Sequence, residues 1–226
     1  MSSIKSLAGQ TLWYGVPTIA SRFLGYLLNI ILFWMYKPSD TAYITQVYAF
    51  IPFLNILFTY GLETSYFKFV QNTDKEKLYN TLMVSLMITS SIFTILVLWN
   101  TSYLANAISL PDHPEYIQWT AYILFLDTLA TLPFARLRQE GRPKKYAFVK
   151  VASIVINVLL VIFFLKICPQ LYQESPNSLF FFWYDPEVGI GYYIIANIVA
   201  SLFTLLLLSK ELGNVQLHFD SSLWKK

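Results

Sequence analysis

Six apolar runs leave this chain almost no architecture but a bundle of membrane-crossing helices. They lie at roughly Leu7 to Met35, Tyr43 to Tyr60, Leu78 to Trp99, Ile117 to Ala135, Ala147 to Cys168 and Val188 to Leu208. A helix crosses a bilayer with about 20 predominantly apolar residues, and these runs are of that order. Only 13% of the 226 residues are charged and 56% are hydrophobic, against about 25% charged in soluble domains. A mean hydropathy of +0.50 agrees, and an ordinary soluble globule is excluded. The first run is no cleaved signal: only Lys5 precedes it, it exceeds a 7–15-residue apolar core, and no A-x-A site follows.

The polar breaks between the runs alternate in charge, and basic residues set membrane orientation. Lys5 precedes the first run, and Lys68, Lys75 and Lys77 follow the second. Arg136, Arg138, Arg142, Lys144, Lys145 and Lys150 are counted with the break after the fourth, and Lys210, Lys225 and Lys226 follow the sixth. These are 13 of the 16 basic residues. The opposite breaks hold only Lys37 and Lys166, with Asp40, Asp112, Glu115, Glu174, Asp185 and Glu187. Trp34, Tyr36, Trp99, Tyr103, Trp119, Trp183 and Tyr184 form an aromatic belt on that second side. The expectation is a multi-pass protein with both termini cytoplasmic.

Arg22 is the one basic residue near the middle of an apolar run. A guanidinium there costs about 2.5–3.5 kcal/mol on insertion scales, so it is kept for a partner or a wet cavity. Thr18, Arg22, Gly25 and Asn29 recur at intervals of four, three and four, which places them on one helix face. Other stripes are Pro52, Asn55 and Thr59; Thr120, Asp127 and Thr131; Ser153 and Asn157; and Asn197, Ser201 and Thr204. For most of these, close packing of helices through small and hydroxyl residues is a sufficient explanation. Asp127, at a depth comparable with Arg22, is not so explained. The two form a candidate buried pair, or Arg22 binds a phosphate through its forked donors with Asp127 as resting partner or proton site. Glu63 is a candidate for the same network or an exposed charge at headgroup level. Pro17, Pro52 and Pro133 fall inside runs, where they can kink helices.

No catalytic constellation emerges. The single cysteine, Cys168, allows no intrachain disulfide and no paired-cysteine metal site, and His113 and His218 are far apart. Gly189-Ile-Gly191 lacks the third glycine of a dinucleotide fingerprint, and no Gly-Lys-Ser/Thr phosphate loop is present. No metal, cofactor or nucleic-acid partner is expected. The stretch Arg136 to Lys145 is either the topology signal or a contact for anionic membrane lipids.

Three segments resemble one family. Ser21-Arg22-Phe-Leu-Gly25 is similar to the Ser-Arg-x-x-Gly pattern of lipid-linked oligosaccharide flippases, in the superfamily of multidrug, oligosaccharidyl-lipid and polysaccharide exporters. Gly61-Leu-Glu63-Thr-Ser-Tyr-Phe-Lys68-Phe resembles their Gly-Leu-Glu-x-x-x-Phe-Arg-Phe stretch, with Lys68 where arginine is usual. Leu132-Pro133-Phe-Ala-Arg136-Leu-Arg138-Gln-Glu-Gly141-Arg142-Pro143 resembles the loop after their fourth helix. The resemblance implies a transporter of twelve or fourteen helices in two six-helix lobes around a cationic cavity. This chain ends after the sixth run, so it looks like the N-terminal half, with residues 1–209 as a six-helix lobe and 210–226 as a cytoplasmic connecting segment.

The expected fold is therefore all-α and polytopic: one lobe of a two-lobed transporter that works beside a second six-helix lobe. The expected function is alternating-access movement of polyprenyl-pyrophosphate-linked oligosaccharide across the bacterial inner membrane. Arg22, Gly25, Asn29, Asp127, Glu63 and Asn157 are the candidate substrate-binding residues. The alternatives are a drug or ion exporter of the same superfamily, a membrane-embedded enzyme acting on polyprenyl-linked sugars with Asp112, His113 and Glu115 as its acidic cluster, or a scaffold.

Overall fold

The computed structural model describes residues 2–174, 184–213, 215, 219, 220 and 224; inside the first helix the side chains of 2–14, 18, 21 and 22 are outside the description. Lys5, Arg22, Lys225 and Lys226, and the belt residue Trp183, therefore lie outside the described side chains or residues. The regular elements among the described residues are all helices, with no strand. In order they are α1 (Ser2–Met35), α2 (Pro38–Thr59), α3 (Leu62–Phe69), α4 (Lys75–Trp99), α5 (Thr101–Ala107), α6 (Pro114–Gln139), α7 (Pro143–Ile162), α8 (Cys168–Glu174), α9 (Tyr192–Leu207) and α10 (Ser209–Gly213). A π-helical turn (Phe163–Ile167) runs α7 into α8, and a 3-10 turn (Pro186–Gly191) leads into α9.

The helix boundaries follow local chemistry. Proline occupies the first turn of α2, α6 and α7, where its missing N–H has no helical partner anyway. The Asp74 side chain opens α4 by accepting from the backbone N–H groups of Glu76 and Lys77, both at 3.0 Å. Tyr60 and Gly61 take positive φ values of 33° and 76°. That ends α2 and starts α3 as a separate short helix, so Glu63 sits in the first turn of α3 and not at the end of a continuous second span. Pro17, Pro52 and Pro133 all lie inside their helices.

Long helices occupy all six apolar runs, and among the described residues four stretches are long and apolar enough to cross a membrane: Pro38–Thr59, Lys75–Trp99, Pro143–Glu174 and Pro186–Leu207. The chain is an all-α polytopic membrane protein. The long helix α6 falls short on composition because it carries Gln118, Thr120, Asp127, Thr128 and Thr131. It packs against α2, α3, α4, α5 and α9, which bury Thr120 and Thr128, while Gln118 and Asp127 stay exposed. A helix sheathed by neighbours need not be soluble in lipid. Its contacts are made close by small residues: Ala121, Thr128, Ala130 and Ala135 of α6, and Ala196, Ala200 and Ser201 of α9, are all buried.

The two ends of the bundle differ in chemistry. At one end Tyr36 donates to the Leu165 carbonyl at 3.5 Å, Gln46 donates to the Ile108 carbonyl, and His113 stacks on Tyr116 at 4.7 Å. Gly191 brings the turn before α9 onto this end, since a Cβ there would lie 2.7 Å from the Tyr116 ring. Trp34, 88% exposed, and Trp99, 85% exposed, stand out from it as belt residues do. At the other end, ion pairs link α3, α4, α6, α7 and α10: Arg138 with Glu63, Arg136 with Glu76 at 2.5 Å, and Lys145 with Glu211 at 2.6 Å. The segregation of charge read from the sequence is thus a segregation in space.

Candidate functional site

Between these two ends a cavity of about 580 Å³ opens among α2, α3, α6, α7 and α9. Phe134 and Ala130, buried in an apolar cluster with Leu137, Val149 and Leu208, form its non-polar wall. Ile56, Ile154 and Ala200 add to the non-polar part, and the polar lining is Asn55 and Thr59 from α2, Glu63 from α3, Asp127, Thr131 and Arg138 from α6, Lys150, Ser153 and Asn157 from α7, and Asn197, Ser201 and Thr204 from α9. The cavity begins near Tyr146 and Arg138, at the ion-paired end, and reaches Asn157, about 16 Å further along α7. In a membrane protein a polar chamber at that depth is costly unless it holds water or cargo.

Side chains bridge helices across this wall. Asn157 Nδ2 donates to Asn197 Oδ1 at 2.5 Å, and Asn197 Nδ2 donates to the Tyr193 carbonyl at 2.9 Å. Ser201 Oγ donates to Asp127 Oδ1 at 2.7 Å, tying α9 to α6. The threonines behave differently: Thr59, Thr131 and Thr204 each donate to the carbonyl four residues earlier in their own helix. Packing and back-bonding account for them, as they do for Thr120. Two buried polar atoms at the cavity have no partner among the described residues, Asn157 Oδ1 and Arg138 Nε. Buried polar atoms are ordinarily satisfied by protein, water or ligand.

Of the six candidate residues from the sequence, the cavity gathers Asp127, Glu63 and Asn157. Gly25 and Asn29 lie on α1, which packs chiefly on α7, and they do not line this cavity. The Arg22 side chain lies outside the described ones, so its pairing with Asp127 is not on view; the partner Asp127 does show is Ser201. Glu63 is not free: it pairs with Arg138, whose guanidinium also lies 5.2 Å from the Phe67 ring and 5.8 Å from the Tyr146 ring.

Sequence reading missed Lys150 and Arg138, which it placed with the loop after the fourth run. That loop is short, because α6 ends at Gln139 and α7 begins at Pro143. Lys150 lies two turns into α7, with its ammonium 4.1 Å from the centre of the Phe134 ring. The signal was present in the spacing. Stepping back three and seven residues from Ser153 and Asn157 along one helical face reaches Lys150.

Over residues 31–169 the chain matches the family described as polysaccharide biosynthesis protein. The chain belongs to that family. The matched region runs from the end of α1 into α8 and includes Glu63, Asp127, Arg138, Lys150 and Asn157. Arg22, Gly25 and Asn29 precede it, and the α9 wall with Asn197 and Ser201 follows it. No curated protein and no solved structure matches the chain. Membership makes this polytopic helical chain a membrane protein of polysaccharide biosynthesis.

Of the acidic cluster weighed for an enzyme, Asp112 is exposed and His113 and Glu115 are partly exposed. His113 Nδ1 lies 2.9 Å from Glu115 Oε1, and the ring is clamped between Tyr43, at 5.2 Å, and Tyr116. Among the described residues no three histidine, cysteine or acidic side chains are grouped to hold a metal.

Proposed function

We propose that this chain is one lobe of a flippase that moves polyprenyl-pyrophosphate-linked oligosaccharide across the bacterial inner membrane by alternating access, both termini being cytoplasmic. The observation that carries the reading is the polar cavity of about 580 Å³ within a membrane protein of polysaccharide biosynthesis. A cargo with a long apolar tail and a hydroxyl-rich head needs such a chamber for the head while the tail stays in lipid. Arg22, on the α1 face with Gly25 and Asn29, is the proposed contact for the pyrophosphate through its forked donors. A second lobe would complete the enclosure, and rocking of the two would reopen it on the other side.

The test is Arg22→Ala in the cell that makes the protein. Export of the glycan should stop at near-normal protein level, with lipid-linked oligosaccharide accumulating on the cytoplasmic face. Arg22→Lys should recover only part of the export, because an ammonium cannot make bidentate contact. Normal export by Arg22→Ala would overturn the role of Arg22. Loss of glycan synthesis with no accumulated intermediate would favour the membrane enzyme instead.

A further inference from the structure

The resemblance to flippases implies a cationic chamber, and the described cavity is not one. Its charged lining comprises Glu63 and Asp127 against Arg138 and Lys150, so the described charges cancel. Arg138 is already neutralised by Glu63. Lys150 lies over the Phe134 ring within electrostatic reach of Asp127, which its cation offsets. A pyrophosphate placed here would find no net positive charge, because each cation already faces a carboxylate and would have to give up that partner.

What the wall does offer is hydrogen bonding of both senses. Asn157 and Asn197 present amides that both donate and accept, the buried Asn157 Oδ1 has no partner, and Ser201 and Asp127 add a hydroxyl and an acceptor. A hydroxyl group, donor and acceptor at once, satisfies such a surface, and a purely accepting anion does not.

We infer that the cavity between α6, α7 and α9 is a saccharide site, taking the uncharged, hydroxyl-rich part of the cargo, and that the anionic linker is held outside it. The inference rests on the flippase reading and assigns this cavity within it. Asn157 and Asn197 are then specificity-determining contacts for the glycan, and Asp127 accepts its hydroxyls.

The experiment compares two probes on the purified protein in nanodiscs of uncharged net lipid: the neutral oligosaccharides released by mild acid from the producing cell's own lipid extract, and geranyl pyrophosphate. Saturation-transfer NMR reads the first and calorimetry the second. Asn157→Leu with Asn197→Leu should weaken oligosaccharide binding at least tenfold and leave geranyl pyrophosphate unchanged, whereas Asp127→Asn should leave geranyl pyrophosphate unchanged or tighter. Thr131→Leu narrows the cavity without removing a bond between helices, and should also weaken the oligosaccharide alone if the double variant fails to fold. Tenfold loss of geranyl pyrophosphate in the asparagine or Thr131 variants, with oligosaccharide binding intact, would overturn the inference and make the cavity the linker site. Oligosaccharide binding that none of these variants alters would overturn it too. If the wild-type protein binds neither probe, the flippase reading itself fails.

Discussion

Glu211 holds Lys145 Nζ at 2.6 Å and Arg142 Nη1 at 2.9 Å although its own side chain is only 3% exposed. The Tyr79 hydroxyl donates to the Glu211 backbone carbonyl at 3.1 Å, so α4, α10 and the turn between α6 and α7 meet at one acid. Arg142 continues to Glu140, Arg136 and Glu76 as a chain of alternating charges. The residues from Lys210 onward, expected as a connecting segment, therefore begin as a helical turn docked on the lobe.

A buried acid with two cations should be far more costly to remove than an exposed one. Glu211→Ala should destabilise the detergent-solubilised protein by about 3–5 kcal/mol, because it strands two partners that have lost their counter-charge. Glu76→Ala, removing a side chain that is 60% exposed, should cost at most about 1 kcal/mol. Melting of the two variants side by side checks this. Similar losses would show that the Glu211 contact is a surface pair in solution.

The same network fixes a pH window. Burial pushes the Glu140 carboxyl upward, but hydrogen bonds from Arg136 and Arg142 outweigh it and hold the group below its ordinary value of 4.5. A carboxyl depressed in the folded state contributes stability above its unfolded value, and that contribution is lost as pH falls through the folded one. Acid titration should therefore leave this end of the bundle intact down to about pH 4.5 and weaken it below that. Glu140→Gln should be less stable at neutral pH and should lack the acid step. Hydrogen exchange of the α6–α7 turn is the local readout.

Orientation is tested with single cysteines on a background in which buried Cys168 is replaced by alanine. Tyr103→Cys, at a position 74% exposed on α5, should react with a membrane-impermeant thiol reagent in cells whose outer membrane admits it. Lys75→Cys and Lys144→Cys, at the ion-paired end, should react only after permeabilisation. The reverse pattern would invert the protein in the membrane and with it the direction of transport.

Much of the architecture was legible because it follows from composition over windows of about 20 residues. Lipid enforces apolar length and satisfied backbone on any spanning segment, so the six runs of Leu7 to Leu208 could be read without knowing a single contact. Basic residues collect on one side by the same kind of rule, and the ends of the bundle repeat it. Intramembrane charge likewise singled out Asp127, and helical spacing singled out Asn157.

Partners could not be read that way. Glu63 finds Arg138 only because positive φ at Tyr60 and Gly61 turns α3 out of line with α2. Lys150 looked like a loop residue, and it enters the cavity because the turn between α6 and α7 is tight and α7 starts at Pro143. The pairing of Asn157 with Asn197 joins residues 40 apart in the chain, and nothing local records which faces of α7 and α9 will meet. The sequence by itself determined a helical membrane protein, the apolar runs that its long helices occupy and the segregation of its charge, because the bilayer acts on each segment separately. Which polar groups share a chamber, and that the described charges in it balance, was decided only by tertiary packing, since helix rotation and close approach depend on all neighbouring helices at once.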